Sequence, residues 1–492
     1  MPTDSLISLL GNLWSIFLIV LFFGGSVFVH ELGHFLAARR RGLKVERFSI
    51  GFGPALWSRR GKDGVEYRVS ALPLGGYVML PQLADLGPIE GESDSDMTKL
   101  PPISYTTKMI VLVAGAFFNV LLAFFLASVL WLVGQPVVEE EQTTRVGFVR
   151  KNIELPDGKL ADGPAYLAKI QQGDIILAVD GNSVKSLNDI AQLVALGGGR
   201  TSTDEPKVVI EFERDGQRMS ATILPVLVGP EAIRDIGIEP SAKVTVMKVL
   251  PGSAAEAAGL EVKDVITQVD GHEVGYVSFI SDYLREHGAK AAHVTFLRQG
   301  KVSETTVTPR VVVDPQTKLS VYRMGVELGG AYTTKTIHPT PWTQVWDKVI
   351  WTKRSIFSLL NRSSNIGVTK LSTPIGMAYR VHQLAQTDIR LVLWFSILVN
   401  VNLAILNLLP FPILDGGQMV FATIAKLRGR QLPVNFLATA QIAFMILLLS
   451  MALYVGFHDV LLINRDMKED AQAREAAAER KKTSEQPAPA KP

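Results

Sequence analysis

None of the 492 residues is cysteine, so neither a disulfide nor a thiolate ligand is available. Any metal site must then be built from His, Asp, Glu and water. An excess of one charge is also missing: 50 Lys and Arg against 47 Asp and Glu leave a formal net charge of +3. Surfaces that bind nucleic acid are visibly basic, so no nucleic-acid partner is expected. Histidine occurs only eight times, which leaves few candidates for metal binding. What abounds is apolar: 47% of the residues are hydrophobic, too many for an ordinary soluble protein, in a chain too long for one domain.

The apolar residues gather into four runs, 6–37, 109–133, 391–414 and 434–457. Each is about 20 residues or more, enough to cross a hydrocarbon core of about 30 Å. The first has no basic residue before it and so reads as a retained span, not a cleaved signal. Segment 345–360 is apolar on one side, but Asp347, Lys348, Lys353 and Arg354 interrupt it, which suits an amphipathic surface helix. Basic residues set the orientation. Arg39, Arg40, Arg41, Lys44 and Arg47 follow the first run, and Lys426, Arg428 and Arg430 separate the third from the fourth, so both loops are expected in the cytoplasm. The N terminus, the long middle region and the tail are then expected outside. The tail mixes Arg465, Lys468 and Arg480-Lys481-Lys482 with Asp466, Glu469, Asp470, Glu475 and Glu479, and ends in Pro-Ala-Pro-Ala-Lys-Pro; it reads as a solvated, low-complexity extension.

Within the first run lies His30-Glu31-Leu32-Gly33-His34. Two His at i and i+4 share one helical face, where both imidazoles can reach one zinc ion while Glu31 points at a water bound to it. A core helix can carry the same letters by chance, but three ionisable side chains at bilayer depth are expensive to keep without a role. Two His leave a tetrahedral ion one protein ligand short, with water in the last place. Asp415 is the only carboxylate close to the end of the third run, whereas the fourth ends in His458-Asp459. The first and third runs cross in the same direction, so Asp415 falls on the side of His30 and His34, and His458 emerges about 30 Å away. Asp415 is therefore the expected third ligand. His272, His287, His293, His338 and His382 read as ordinary surface or turn residues.

Between the second and third runs the pattern changes to alternating strands broken by Gly and Asp. Gly173-Asp174-Ile175-Ile176-Leu177-Ala178-Val179-Asp180-Gly181 recurs as Lys263-Asp264-Val265-Ile266-Thr267-Gln268-Val269-Asp270-Gly271, an internal repeat. Each copy follows a small-residue turn, and the pattern resembles PDZ domains, which take an extended peptide as an added strand. Two sheet domains acting only as spacers remain the alternative. Segment 47–78 shows alternating strands flanking Arg59-Arg60-Gly61-Lys62-Asp63-Gly64, a hairpin placed just after the His-Glu motif. Bare backbone at membrane depth is tolerated where protein or a wet cavity covers it, so a re-entrant hairpin is expected beside the site.

Taken together, His30 to His34, Phe48-Ser49-Ile50-Gly51-Phe52-Gly53, Pro73-Leu74-Gly75-Gly76-Tyr77-Val78, both repeat copies and Asn407 through Pro410, Pro412, Leu414, Asp415 and Gly416 resemble the site-2 proteases. These are intramembrane zinc metalloproteases, and the match is to their bacterial RseP type with tandem periplasmic PDZ domains. The resemblance implies His30, His34 and Asp415 as zinc ligands, Glu31 as catalytic acid/base, and Asn402, Asn407, Pro410 and Pro412 as substrate contacts. It also implies a membrane-protein substrate with a transmembrane segment, such as an anti-sigma factor or a leftover signal peptide, cut in the bilayer of the inner membrane after trimming by an upstream protease. The sequence departs from the pattern at Thr373, where relatives often have Gly, and in the long acidic stretch 79–99. For Asn407 a helix–helix hydrogen bond is the plainer reading, and the prolines can simply end the helix. The expected fold is a polytopic α-helical membrane protein with four transmembrane helices, a membrane-associated β-hairpin and two inserted periplasmic PDZ-like α/β domains. Its parts are 1–136, the PDZ-like domains 137–228 and 237–312, a linker 313–390, the last two spans 391–463 and the tail 464–492. The active site is expected toward the cytoplasm and both termini in the periplasm. A membrane-anchored PDZ adaptor with a structural or vestigial metal site is the alternative function.

Overall fold

The computed structural model describes residues 13–83, 100–156, 158–229, 231–313 and 320–485. The expected start of the first span before residue 13, residues 84–99 of the acidic stretch and the final seven residues lie outside them. Two compact units form, one from 1–135, 338–354 and 368–492, the other from 136–337 and 355–367.

The first unit holds four helices long and apolar enough to cross a membrane: Leu13–Arg40, Tyr105–Val133, Ile389–Asn407 and Asn435–Lys468. Their outer faces carry apolar side chains with no protein cover, among them Phe125, Leu453 and Phe457 at 63%, 67% and 68% exposure. Exposed apolar area on this scale marks a lipid-facing surface. Local chemistry sets the ends. Ser104 accepts a hydrogen bond from the Thr107 amide at the start of the second helix, which stops at Gly134 with φ +79°; Asp388 caps the third from the Arg390 amide. That third helix ends at Asn407, earlier than the expected 414, because Pro410 and Pro412 cannot continue it. A new helix, Asp415–Arg428, begins instead.

Small residues bring the helices together. A Cβ on Gly33 would run into the Ala114 carbonyl of the second helix, so these backbones touch. Ala123 and Ala127 of the second helix, both fully buried, admit Ile397 and Val401 of the third. Helix Pro341–Leu360 was expected to turn its charges outward. It places Val345 against the same cluster but also buries Lys348, whose ammonium lies 3.9 Å from the Trp394 ring centroid, a cation–π contact that replaces part of its hydration. Asp459 on the fourth helix accepts from the backbone amide and the hydroxyl of Thr373, the N-cap of helix Pro374–Thr387. Thr373 is thereby engaged inside the fold.

The expected hairpin is present as β1 (Arg47–Arg60) and β2 (Glu66–Met79), but it is folded twice. Residues 47–50 each pair with two neighbours: with 79–76 in opposite directions and with 66–69 in the same direction. Residues 57–60 pair with 69–66, so a small four-rung sheet results, with 76–79 at one edge. Phe48, Val65, Val78 and Leu80 seal it onto Phe35 and Ala38 of the first helix.

The second unit contains the repeat as two similar modules. One sheet runs Gln217–Ile223, Val208–Arg214, Ile175–Val179, Asn182–Ser183; the other runs Lys301–Val307, Ala292–Arg298, Val265–Val269, Lys243–Val249, Val326–Ala331. Helices Leu187–Leu196 and Val277–His287 cover their cores. The repeated motif is architectural. Asp174 and Asp264, at 2% and 1% exposure, hold Arg214 and Arg298 in bidentate pairs. Asp180-Gly181 and Asp270-Gly271 all have positive φ, as a two-residue hairpin turn requires. Each module takes a strand from beyond its expected end: Ile238–Glu239 pairs with Phe148–Val149, and Val326–Ala331 pairs with Lys243–Val249. Short late strands give no local signal of the sheet they join.

Candidate metal centre and active site

A π-turn at Val20–Gly24 interrupts the first helix just before Gly25–Arg40, the stretch that carries both His; such turns recur at functional sites. His30 and His34 then face inward, with their Nε2 atoms 3.1 Å apart. Asp415 opens the short helix after the third span, a position where the helix dipole favours a carboxylate. Its Oδ2 lies 3.4 Å from Nε2 of His30 and 3.3 Å from Nε2 of His34. The three donor atoms lie within 4.8 Å of one another, and among the described residues no other such cluster occurs. Tight turns place Asp415 there, since a Cβ on Gly416 would meet the Leu408 carbonyl and one on Gly417 the Phe411 carbonyl.

This donor set fits a zinc ion. It offers two nitrogens and one oxygen, and Oδ2 of Asp415 is buried without a hydrogen-bond partner among the described residues. Nδ1 of His34 donates to the Val111 carbonyl at 2.8 Å, which fixes the tautomer and leaves Nε2 free. Space is provided by Gly115 on the second helix: a Cβ there would collide with Nε2 of His34 and stand 2.7 Å from Cε1 and 2.8 Å from Nε2 of His30.

A cleft of about 220 Å³ opens on the cluster. Glu31 lines it beside the two His, together with Gly76, Tyr77 and Val78 of the sheet edge, Asn407 and Gln418. Asn402 does not line the cleft; its side-chain oxygen accepts from the Thr352 hydroxyl. Pro410 and Pro412 lie in the connection between helices and are also absent from the lining. His458 takes no part in the cluster. Among the other His, His338 binds the Trp131 carbonyl and His287 stacks on Tyr283. Sequence reasoning missed Gly115, Tyr77 and Gln418. Only the place of Tyr77 in the Gly-Gly-Tyr-Val stretch hinted at a role; Gly115 looked like any small residue of a span.

Two imidazoles, a carboxylate and a neighbouring glutamate at the meeting of apolar helices define a membrane-embedded, metal-dependent hydrolase. The profile of Peptidase family M50 matches residues 17–451. The chain belongs to that family and is an intramembrane zinc metalloprotease of the site-2 type. The Regulator of sigma E protease of Haemophilus influenzae is 30% identical over 471 residues, covering 91% of this chain and 99% of its own length. Regulator of sigma-E protease RseP of Escherichia coli is 29% identical over 444 residues, 86% of this chain and 92% of that protein. A relative in Neisseria meningitidis whose name carries the words zinc metalloprotease is 29% identical over 426 residues, 82% and 90% of the two chains. Among solved structures, the PDZ domain of an SdrC-like protein from Listeria monocytogenes overlaps 18% of this chain and 90% of its own at 19% identity, with a TM-score of 0.16.

Proposed function

We propose that zinc is held by His30, His34 and Asp415, and that Glu31 carries the proton as a peptide bond is hydrolysed within or beside a transmembrane segment of another protein. The observation that carries this reading is the convergence of three donor atoms within 4.8 Å in a cleft shared with Glu31. Zinc in such a site polarises the scissile carbonyl and makes a water acidic enough to attack near neutral pH. Glu31 takes the proton of that water and delivers it to the leaving nitrogen, which cannot depart as an anion. Three protein donors suit a catalytic site, because a structural one is closed by four. The adaptor reading has no such support.

A helical substrate hides its carbonyls in its own hydrogen bonds and must unwind before attack. Strand 76–79 forms one edge of the sheet and borders the cleft, where an extended substrate can add as a further strand. Asn407 offers an amide to the same backbone, while Asn402, Pro410 and Pro412 act from behind by shaping the third helix and its connection. The relatives' names point to a regulatory substrate in a sigma-E-type response, such as a membrane-anchored anti-sigma factor already trimmed by another protease. The basic loops around 39–47 and 426–430 support an inner-membrane placement with the cleft toward the cytoplasm and the two modules and both termini periplasmic. The test is to map the cut in a single-span reporter by mass spectrometry. A scissile bond inside or next to the apolar segment is expected; cutting confined to a soluble domain would refute the reading.

A further inference from the structure

Resting on the zinc site above, we infer that Asn119 is a positioning residue for His30: its side-chain oxygen accepts the Nδ1–H of that imidazole and holds Nε2 toward the metal. His34 shows what is needed. Its Nδ1 is committed to the Val111 carbonyl at 2.8 Å, so its ring can neither rotate nor change tautomer freely. His30 presents Nε2 to the same cluster, and its Nδ1 faces the Asn119 amide at 3.4 Å. Asn119 is fully buried in the second helix.

An amide can face the ring with either its nitrogen or its oxygen, because a half-turn exchanges them without changing shape. With the nitrogen inward, Asn119 Oδ1 is buried with no partner among the described residues. Worse, two N–H groups would face each other once Nε2 of His30 is given to a metal, since the proton of the neutral ring then sits on Nδ1. The oxygen-inward arrangement replaces that repulsion with an N–H···O bond, the usual companion of a metal-bound His.

The helical spacing supports the assignment. Val111, Gly115 and Asn119 stand at i, i+4 and i+8, so one face of the second helix meets both imidazoles. Val111 fixes His34, Gly115 leaves room for the rings and Asn119 reaches His30. The second helix is thus the backing of the metal site although it supplies no ligand.

The experiment measures zinc retention by the purified full-length protein against a competing chelator, together with thermal unfolding of the metal-free form. Asn119→Asp keeps an acceptor oxygen and Asn119→Leu keeps only the size; Asn119→Ala serves if Leu fails to fold. The Leu or Ala variant is expected to hold zinc about 10- to 100-fold more weakly, with metal-free unfolding unchanged, and Asp is expected to restore retention to within a few-fold of wild type. In the cobalt-substituted protein, the visible spectrum of the Leu or Ala variant should change, and that of the Asp variant should match wild type. Wild-type retention in Leu or Ala would overturn the inference, and so would loss in Asp as large as in Leu. Asp415→Ala is the control: if it retains zinc as wild type does, the site assignment itself fails, whatever Asn119 does.

Discussion

Gly115 links sequence and chemistry at the scale of single residues, because one methyl group at this position would fill the space the imidazoles share. Alanine favours a helix by about 1 kcal/mol over glycine, but crowding the buried rings costs about 1 to 3 kcal/mol, so Gly115→Ala should lower metal-free stability only modestly while zinc content falls several-fold. Elemental analysis and thermal unfolding on the same sample check both halves; full zinc content would show that the rings have room to move aside. Asp415→Ala should lower zinc content and cleavage together, whereas His458→Ala, outside the cluster, should change neither. As candidates, His30, Glu31 and His34 were legible because their types and spacing point to one chemistry, and Asp415 because it ends a run that crosses in the same direction as theirs. Gly115 and Asn119 were not, since a small residue or an amide in an apolar run equally signals helix packing. The contact that gives them meaning joins helices some 80 residues apart along the chain.

The four-rung sheet carries the lesson at the scale of elements. Turn residues at 61–64 announced one reversal, and the chain does turn there, with Gly64 at φ +81° and the Gly61 amide donating to the Val65 carbonyl. The second fold-back, which makes 76–79 an edge strand beside the cleft, was hidden because Pro73-Leu74-Gly75-Gly76 reads as a loop. The same blindness cut both modules short, as their last strands pair with partners far earlier in the chain. A Cβ on Gly76 would stand 2.8 Å from the Ser49 carbonyl oxygen and 2.9 Å from Cγ of Glu31. Gly76→Val is therefore expected to reduce reporter cleavage at least tenfold while zinc content stays near wild type. Equal losses of both would mean that the strand supports the metal site and not the substrate or Glu31.

At the scale of the whole molecule, the absence of cysteine makes orientation directly measurable. Single cysteines at Arg59 and Arg428 should be shielded from an impermeant thiol reagent in intact cells, and one at Gln217 should react; labelling at Arg428 without labelling at Gln217 would invert the topology. The membrane class of the chain was legible from composition, and the four long apolar helices follow from it. Orientation rests on loop charge, a preference of membrane insertion that no packing contact records. The account stands or falls on hydrolysis by a zinc site that uses Glu31. Its most direct measurement places wild type and Glu31→Gln in liposomes with a single-span reporter and quantifies zinc and cleavage in the same samples. Equal zinc is expected in both, with cleavage by wild type alone, abolished by chelator and restored by zinc. Turnover by Glu31→Gln at the wild-type rate, with its zinc in place, would contradict it.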